Sequence, residues 1–361
     1  MSSRPAVVLA TVRNRIGHLT LNRPEGLNAL NLPMVRLLQQ QLRDWETNDD
    51  VVAVVLRAEG EKAFCAGGDI RMLHESHASG SDQHLVFLAE EYQLDEHIHN
   101  YSKPILALVD GLVLGGGMGL VQGATLRVIT ERTRMGMPEV AIGFYPDVGG
   151  SYFLSRLPGE LGTYLGVTGN QVRAADALYA GLADWCISSS QVAELDHCLN
   201  RMSWSDSPLG ALQALLATLG VRMLPGSELK AQRAAIDEHF AGSHLQAICT
   251  SLKGETAPAH ADWAEETADV LDSRSPLAMA ATLQLLRRGS QLDLHACFQQ
   301  ELALAPAWFD RGDLVEGIRA LIIDKDKQPR WRVPSVSALE PAHVHMLLNA
   351  TPIDTSQWPA A

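Results

Sequence analysis

Twice along this chain, a run of aliphatic residues is followed by a cluster of glycines at the start of a predicted helix. Residues 51–56 precede Gly67 and Gly68, and residues 105–109 precede the glycines of residues 115–119. Short, nearly continuous aliphatic runs indicate strands that are buried on both faces. Glycines at a helix start let backbone N–H groups approach a ligand without interference from a Cβ atom. The chain is therefore predicted to be an α/β protein whose strand–helix repeats present backbone donors.

The remaining sequence divides into two regions by its periodicity. Residues 6–11 and 16–21 predict a hairpin, and residues 33–45 predict an amphipathic helix. Beyond about residue 205, β-branched runs disappear and apolar spacings of three and four dominate. We therefore predict a catalytic core over residues 1–200 and a mostly helical C-terminal region over residues 201–361. The polar end of the chain, residues 352–361, is predicted to be loose.

Charge and cysteine usage exclude several classes of protein. The chain has 361 residues and a formal net charge of -13, which argues against a broad nucleic-acid surface. Its five cysteines are far apart and form no Cys-x-x-Cys pair, so no zinc knuckle or disulfide framework is indicated. No apolar run approaches the roughly 20 residues that span a bilayer, and no secretory signal is evident. These features predict a cytoplasmic protein without nucleic-acid or membrane partners.

Two carboxylates, Glu139 and Asp147, lie eight residues apart in a segment interrupted by Gly143 and Pro146. These two breakers exclude one straight helix through both acids. The segment is predicted to be a loop that leads into a helix, where both carboxylates can converge on one reacting group. The alternative is that Glu139 is an ion-pair partner and Asp147 a turn residue.

Two glycine clusters whose amides converge would form an oxyanion hole, in which backbone donors stabilise negative charge on a carbonyl oxygen. Each cluster alone would also fit a tight turn or a close helix–strand contact. The sequence contains no Gly-x-Gly-x-x-Gly fingerprint after a strand and no Walker A motif. It also lacks a Gly-x-Ser-x-Gly elbow and a His-Glu-x-x-His motif. Dinucleotide, P-loop, serine-hydrolase and zinc-protease functions therefore lose support.

Several stretches resemble the crotonase, or enoyl-CoA hydratase/isomerase, superfamily, and most closely its 3-hydroxyisobutyryl-CoA hydrolase branch. They include Lys-Ala-Phe-Cys-Ala-Gly-Gly-Asp-Ile-Arg at 62–71, Glu-Glu-Tyr at 90–92, Gly-Gly-Gly-Met-Gly at 115–119, Pro-Glu-Val-Ala-Ile-Gly-Phe-Tyr-Pro-Asp-Val-Gly-Gly at 138–150 and Gly-Asp-Leu-Val-Glu-Gly-Ile-Arg-Ala at 312–320. The resemblance implies a spiral of β-β-α repeats with a mostly helical C-terminal region. It also implies an acyl-CoA thioester substrate, with coenzyme A as part of the substrate and no other cofactor or metal.

The resemblance also implies roles for individual residues. Glu139 and Asp147 match the catalytic acids of the hydrolase branch, and the amides of Gly68 and Gly116 match the oxyanion hole. The residues implied to bind substrate are Lys62, Ala66, Gly67, Asp69 and Gly115. Among these, Lys62 is a candidate for the phosphates of coenzyme A, and Asp69 is expected to order its loop by accepting backbone N–H bonds.

One position departs from the hydratase pattern. Hydratases of this family resemble each other in having a glutamate where this chain has Gly119, and they use it together with a second glutamate to add water to a double bond. Loss of that acid argues against hydration. The resemblance to the hydrolase branch then implies hydrolysis of a short β-hydroxyacyl-CoA thioester, most closely 3-hydroxyisobutyryl-CoA in valine breakdown, with Glu139 as nucleophile or general base. The alternatives are an enoyl-CoA hydratase or isomerase, and a non-catalytic acyl-CoA-binding protein.

The assembly state is open at this level. The resemblance implies a homo-oligomer, a trimer or higher, because members of the family often associate through C-terminal helices. The longer helical region of this chain could instead cover the same surface within one subunit.

Overall fold

The structure is a computed structural model that describes residues 6–221 and 224–348. Strands within these residues are β1 Val8–Arg13, β2 Ile16–Leu21, β3 Ala53–Ala58, β4 Ala63–Cys65, β5 Ile105–Val109, β6 Leu112–Leu114, β7 Leu126–Thr130, β8 Arg134–Gly136, β9 Val172–Arg173 and β10 Trp185–Ile187. Helices of the first half are α1 Leu32–Glu46, α2 Ile70–Ala78, α3 Gln83–His99, α4 Gly116–Gln122, α5 Gly150–Phe153, α6 Leu161–Thr168, α7 Ala174–Ala180 and α8 Val192–Arg201.

From residue 208 the described chain is almost entirely helical. Its helices are α9 Pro208–Leu219, α10 Glu228–Ala231, α11 Arg233–His239, α12 Leu245–Lys253, α13 Ala261–Ser273, α14 Pro276–Gly289, α15 Leu294–Arg311, α16 Leu314–Ile318 and α17 Pro341–Leu348, with a π-helix at Arg319–Ile323 after α16. The predicted change from mixed to helical structure is thus observed. The predicted loose segment, residues 352–361, lies outside the described residues.

The strands form two sheets that share the successive turns of a spiral. One sheet has the order β1-β2-β3-β5-β7-β10, and the other has the order β4-β6-β8-β9. Each β-β-α turn places its first strand in the larger sheet and its second strand in the smaller one. Except for the β1–β2 and β8–β9 pairs, neighbouring strands are parallel. This arrangement confirms the predicted spiral.

Parallel pairing explains where the glycine clusters lie. Strands β4 and β6 are paired in parallel, so their carboxyl ends meet at the same edge of the smaller sheet. Gly67 and Gly68 follow β4, and Gly115 and Gly116 follow β6. Gly68 and Gly116 are 48 residues apart in sequence, yet they therefore lie beside each other.

Side-chain caps visible in the sequence fix the start of several helices. The Asn31 side chain accepts the Met34 N–H at 3.1 Å, and Pro33 stands in the first turn of α1. Ser275 caps α14 in the same way through the Ala278 N–H. Within the C-terminal region, which the sequence predicted to be mostly helical, α10 and α11 meet at Gln232.

The helical C-terminal region packs against the core rather than standing apart. One continuous hydrophobic cluster contains core residues such as Phe87 and Val140 together with Leu286 and Trp308 of the C-terminal helices. The proposed boundary near residue 200 stays a prediction. Among the described residues, no helix combines the length and the apolar character needed to cross a bilayer.

Candidate active site

A cavity of about 620 Å³, which we call the front cavity, lies where the loops after β4, β6 and β8 meet the C-terminal helices. Its volume is in the range of small-molecule sites. The residues that define it include Ala66, Gly67, Gly68, Asp69, Gly115 and Gly116 of the two glycine loops, the acids Glu91, Glu139 and Asp147, and the apolar side chains Leu73, Phe87, Phe144, Phe309, Leu314, Leu321 and Ile322.

The two glycine loops bring two backbone amides to the same wall of the front cavity. A Cβ atom on Gly116 would lie 3.4 Å from the Gly68 nitrogen, so the two peptide units are in close contact. We find no acceptor for either N–H in the part of the chain that the structure describes. Gly115 has φ +47°, a conformation that favours glycine and turns the Gly116 amide out of the β6 strand. Such a pair of donors can stabilise developing negative charge on an oxygen.

Glu139 faces these glycines across the cavity. It begins a short 3₁₀ turn, Glu139–Ile142, that ends at Gly143 with φ 74°. One carboxylate oxygen, Oε1, lies 2.6 Å from the position that a Cβ atom on Gly115 would occupy. The other oxygen, Oε2, is buried and has no hydrogen-bond partner within residues 6–221 and 224–348. A buried carboxylate oxygen without a partner is costly, so one is expected where a ligand supplies the partner.

Asp147 reaches the front cavity from the same loop, and Tyr92 of α3 holds it in place. The Tyr92 hydroxyl donates to Asp147 Oδ2 at 2.7 Å, and both side chains are buried. The next residue, Val148, has φ +50°, which is an outlier for a β-branched residue and costs of order 1–3 kcal/mol. Backbone strain beside a buried acid indicates that the surrounding structure determines the position of Asp147.

The C-terminal helices supply the contacts that impose this conformation. Glu301 of α15 accepts the backbone N–H groups of Gly149 and Ser151, each at 2.8 Å. Trp308 donates its indole N–H to the Gly143 carbonyl at 2.7 Å. The Tyr145 hydroxyl donates to the Glu301 carbonyl at 2.6 Å. The loop that carries Glu139 and Asp147 is therefore anchored at both ends by α15.

Two further buried acids, Glu91 and Asp95 of α3, lie close to the glycine loops. A Cβ atom on Gly116 would collide with Glu91 Oε1, and a Cβ atom on Gly119 would collide with Asp95 Oδ2. Glu91 Oε1 and both Asp95 oxygens lack a hydrogen-bond partner in the described residues. Sequence reasoning missed both residues, because acids on a helix are usually exposed. The available signal was the glycine at positions 116 and 119, where the absence of a side chain makes room for the carboxyl groups of Glu91 and Asp95.

Burial controls the protonation of these acids. It raises the pKa of Glu139 well above its usual range, and the negative charge of Asp147 raises it further. Burial raises the pKa of Asp147 to about 6, against the opposing effect of the Tyr92 hydrogen bond. Because only Asp147 receives this bond, it ionises at lower pH than Glu139. Glu139 is consequently the stronger base of the pair once it is ionised.

The predicted substrate-binding residues divide into two groups. Ala66, Gly67, Asp69 and Gly115 line the front cavity, whereas Lys62 is exposed and does not. Asp69 accepts the Met72 N–H at the start of α2, which agrees with its expected role in ordering the loop, and it pairs with Arg23 at 3.2 Å. The cation that lines the front cavity is Arg71, which sequence reasoning did not single out.

Comparison with known proteins identifies the family. Residues 16–348 match the family described as "Enoyl-CoA hydratase/isomerase". The chain belongs to the enoyl-CoA hydratase/isomerase family. This membership confirms the resemblance found in the sequence and explains the spiral of β-β-α turns.

Individual relatives in this family carry different names. The chain is 37% identical over 342 residues to "3-hydroxyisobutyryl-CoA hydrolase, mitochondrial" of Danio rerio, covering 94% of this chain and 88% of that protein. It is 34% identical to "Small ribosomal subunit protein mS47" of Neurospora crassa, covering 93% of this chain and 70% of that protein. The solved structure of a carnitinyl-CoA dehydratase from Mycobacterium thermoresistibile matches with a TM-score of 0.87 and 37% identity, covering 96% of this chain and 97% of that one.

The relatives correct one prediction. The names of the hydrolase relatives include "mitochondrial", so the predicted cytoplasmic location is wrong by this comparison. Unpaired cysteines indicate only a reducing compartment, and the cytoplasm is not the only such compartment. The expected homo-oligomer stays a prediction for this member of the enoyl-CoA hydratase/isomerase family.

No group of three or more His, Cys, Asp or Glu residues within residues 6–221 and 224–348 is placed to hold a metal ion. Cys65, which lies beside the glycine pair, packs against Gly117, and burial raises the pKa of its thiol to about 12. A thiol with such a pKa is a poor nucleophile at neutral pH. The carboxylates are thus the groups of this family member best placed for chemistry.

Proposed function

We propose that this protein hydrolyses the thioester of a short β-hydroxyacyl-CoA, namely 3-hydroxyisobutyryl-CoA, to 3-hydroxyisobutyrate and coenzyme A. The observation that carries the proposal is the meeting of two unpaired amides, Gly68 and Gly116, with Glu139 and Asp147 in one cavity. Relatives named 3-hydroxyisobutyryl-CoA hydrolase, at 34–37% identity over about nine-tenths of the chain or more, support the choice of acyl group. This reaction would place the protein in valine breakdown.

In the proposed reaction, the Gly68 and Gly116 amides bind the thioester carbonyl oxygen. Negative charge develops on that oxygen when the carbonyl carbon is attacked, and a donor of this kind typically contributes about 3–4 kcal/mol to the transition state. The unpaired amides are oriented before substrate binds, so little reorganisation is needed during the reaction.

Glu139 is the attacking or activating group. It either forms a mixed anhydride with the acyl carbon, which water then hydrolyses, or removes a proton from a water molecule that attacks directly. Its raised pKa makes the ionised carboxylate a stronger base in either route. Asp147, held by Tyr92, binds the 3-hydroxyl group of the substrate or accepts a proton. The thiolate of coenzyme A leaves readily, so the proposal requires no metal and no additional cofactor.

The apolar wall selects a small acyl group attached to a large carrier. Phe87, Phe144 and Phe309 line the cavity close to the acids, and Leu321 lies exposed on the same wall. Arg71 also lines the front cavity. Its positive charge can bind the phosphates of coenzyme A although the chain as a whole has a net negative charge. We keep Lys62 as a second candidate for these phosphates.

The alternative function is hydration or dehydration of an enoyl-CoA, and the similarity to the carnitinyl-CoA dehydratase of known structure favours it. Against it stands the space at Gly119, where a side chain would collide with Asp95 and with Val148 Cβ. The second glutamate of the hydratases therefore has no place at this position. A lyase would need a different pair of acids.

A paired assay tests the proposal. Purified protein is given 3-hydroxyisobutyryl-CoA while free thiol is measured, and in parallel crotonyl-CoA while the enoyl absorbance is measured. We expect thiol release from the first substrate and its loss by at least about a hundredfold in Glu139→Gln. Retained release in a correctly folded Glu139→Gln, or enoyl loss without thiol release, would contradict the hydrolase function. Glu194→Gln, an exposed acid of α8, is the matched control.

A further inference from the structure

A second, smaller cavity lies behind the loop that carries Glu139 and Asp147, which we call the catalytic loop. It has a volume of about 40 Å³, and we call it the rear cavity; its lining includes Asp95, His99, Gly119, Val148, Tyr152 and Phe298. At 10–15 Å³ for each water, it has room for about three water molecules. His99 is exposed, so the rear cavity reaches the protein surface.

Two elements, the catalytic loop and helix α3, contribute residues to both the front and the rear cavity. In the catalytic loop, Asp147 lines the front cavity and the next residue, Val148, lines the rear cavity. Along α3, Glu91 lines the front cavity and Asp95, one turn later, lines the rear cavity. His99 follows after another turn. Residues four apart share one face of a helix, so Glu91, Asp95 and His99 lead from the front cavity to the surface.

Asp95 is the residue in this series that needs an explanation. It is 2% exposed, and neither of its carboxyl oxygens has a hydrogen-bond partner in the described chain. Leaving a buried carboxyl group unpaired is destabilising, and nothing in the proposed binding of substrate uses it. Its position is possible because residue 119 is a glycine, whose missing side chain leaves room for Asp95 Oδ2.

The protonation state of Asp95 follows from its surroundings. Burial raises its pKa well above the usual range, and the charges of Asp147 and Glu301 raise it further. Titratable groups face Asp95 from four elements: Asp147 of the catalytic loop, Glu301 of α15, Tyr152 of α5, and Glu91 and His99 of α3. Helix α4 contributes no titratable group to the rear cavity among the described residues; it contributes Gly119, Gln122 and Gly123. These surroundings favour the protonated form of Asp95, which can give up one proton and take up another without a change in net charge.

Hydrolysis of a thioester at neutral pH releases a proton: RCO–SCoA + H₂O gives RCOO⁻, HS–CoA and H⁺. While acyl-CoA fills the front cavity, this proton needs another way out. We propose that Asp95 is a proton-relay residue that connects the catalytic acids to solvent through the rear cavity. This inference rests on the proposed hydrolase function.

Each relay step is a transfer of one proton. A water molecule that bridges Asp147 or Glu91 to Asp95 carries the proton to one oxygen of Asp95, since no direct hydrogen bond joins these carboxyl groups in the described residues. The other oxygen of Asp95 then gives its proton to water in the rear cavity. Water passes the proton to His99 or directly to solvent. Asp95 ends as the neutral acid that it was, and the catalytic acids end ready for the next substrate. Asp95 acts through its neighbours and does not touch the substrate.

The test uses Asp95→Asn, which keeps the shape of the side chain and removes its ability to give up and take up a proton. In weakly buffered solution we expect kcat for 3-hydroxyisobutyryl-CoA to fall about tenfold with an unchanged KM. Added formate, a small proton carrier, should restore the rate in proportion to its concentration. The thermal unfolding temperature should change little, because an amide of nearly the same size replaces a carboxyl group that has no hydrogen-bond partner in the described residues.

Leu294→Trp serves as a second variant, since it fills the rear cavity but keeps Asp95. We expect the same fall in kcat, but without recovery in formate. Glu194→Gln is the control and should match the wild type. A kcat for Asp95→Asn within twofold of wild type in weak buffer would overturn the relay, as would a fall that formate does not reverse. Absence of thiol release from the wild type would overturn the hydrolase function itself.

Discussion

The Tyr92 hydroxyl donates a hydrogen bond of 2.7 Å to Asp147 Oδ2, and so ties the central helix α3 to the catalytic loop. The bond stabilises the ionised form of Asp147 in surroundings that otherwise favour the neutral form. It also fixes which of the two loop acids ionises first. The protonation of the site thus depends on a residue outside the loop.

We predict that Tyr92→Phe changes the pH dependence of activity. Loss of the hydrogen bond removes a contribution that lowers the pKa of Asp147, so this pKa should rise above its value of about 6. Ionisation of Glu139 sets the upper step of the acidic limb, and activity that needs ionised Asp147 is lost as pH falls through the lower pKa. We expect this lower step of the kcat profile to move to higher pH in Tyr92→Phe. The measurement is thiol release between pH 5 and 9. Tyr101→Phe, which removes a buried hydroxyl bonded to the Leu42 carbonyl, should leave the limb in place.

A side chain on Gly116 should damage the oxyanion site. In Gly116→Ala the new Cβ atom collides with Glu91 Oε1, so the amide or the carboxyl group must shift. Loss of one oxyanion donor typically lowers kcat by about 10²–10³. The control is Gly226→Ala, since a Cβ atom there meets nothing within 4 Å. A kcat for Gly116→Ala close to that of wild type would mean that this amide does not bind the reacting oxygen.

Replacing Trp308 tests whether the C-terminal helices position the catalytic loop. Trp308→Phe leaves a gap in the core and an unpaired Gly143 carbonyl, and should reduce the free energy of unfolding by about 2–4 kcal/mol. We expect kcat to fall as well, because the loop carrying Asp147 loses an anchor. Trp204→Phe removes a similar indole bond, to the Asn14 carbonyl, far from the cavity. It should lower stability without changing kcat.

Two cations can be compared as partners for the phosphates of coenzyme A. Arg71 lines the front cavity and Lys62 does not. We expect Arg71→Ala to raise KM for the acyl-CoA about tenfold with little change in kcat, since a charged hydrogen bond is lost from binding alone. Lys62→Ala should change KM less than twofold. A larger rise in KM for Lys62→Ala than for Arg71→Ala would instead support the prediction that Lys62 binds the phosphates.

Much of the fold follows from local signals in the sequence. Aliphatic runs correctly predicted strands β3 and β5. The amphipathic pattern of residues 33–45 predicted helix α1 to within one residue at each end. The hairpin β1–β2 was also predicted. The bounds of the C-terminal helices were not predicted, because apolar spacings of three and four indicate helices but do not fix where each short helix ends.

Only part of the candidate site could be predicted from the sequence. Breakers at Gly143 and Pro146 correctly indicated that Glu139 and Asp147 lie on a loop. Tyr92, by contrast, was assigned no role, since no sequence pattern shows which buried hydroxyl will face an acid. Glu301 is separated from the loop that it anchors by 150 residues or more, and its role depends wholly on how the C-terminal helices pack.

The sequence by itself determined the alternation of strands and glycine clusters, the family and the two loop acids. These features are local: they depend on side-chain type, spacing and backbone freedom. Tertiary structure decided that Glu91 and Asp95 are buried, that Val148 adopts a strained conformation and that α15 holds the catalytic loop. Burial and pKa depend on every element packed around a residue, so they emerge only when distant segments meet.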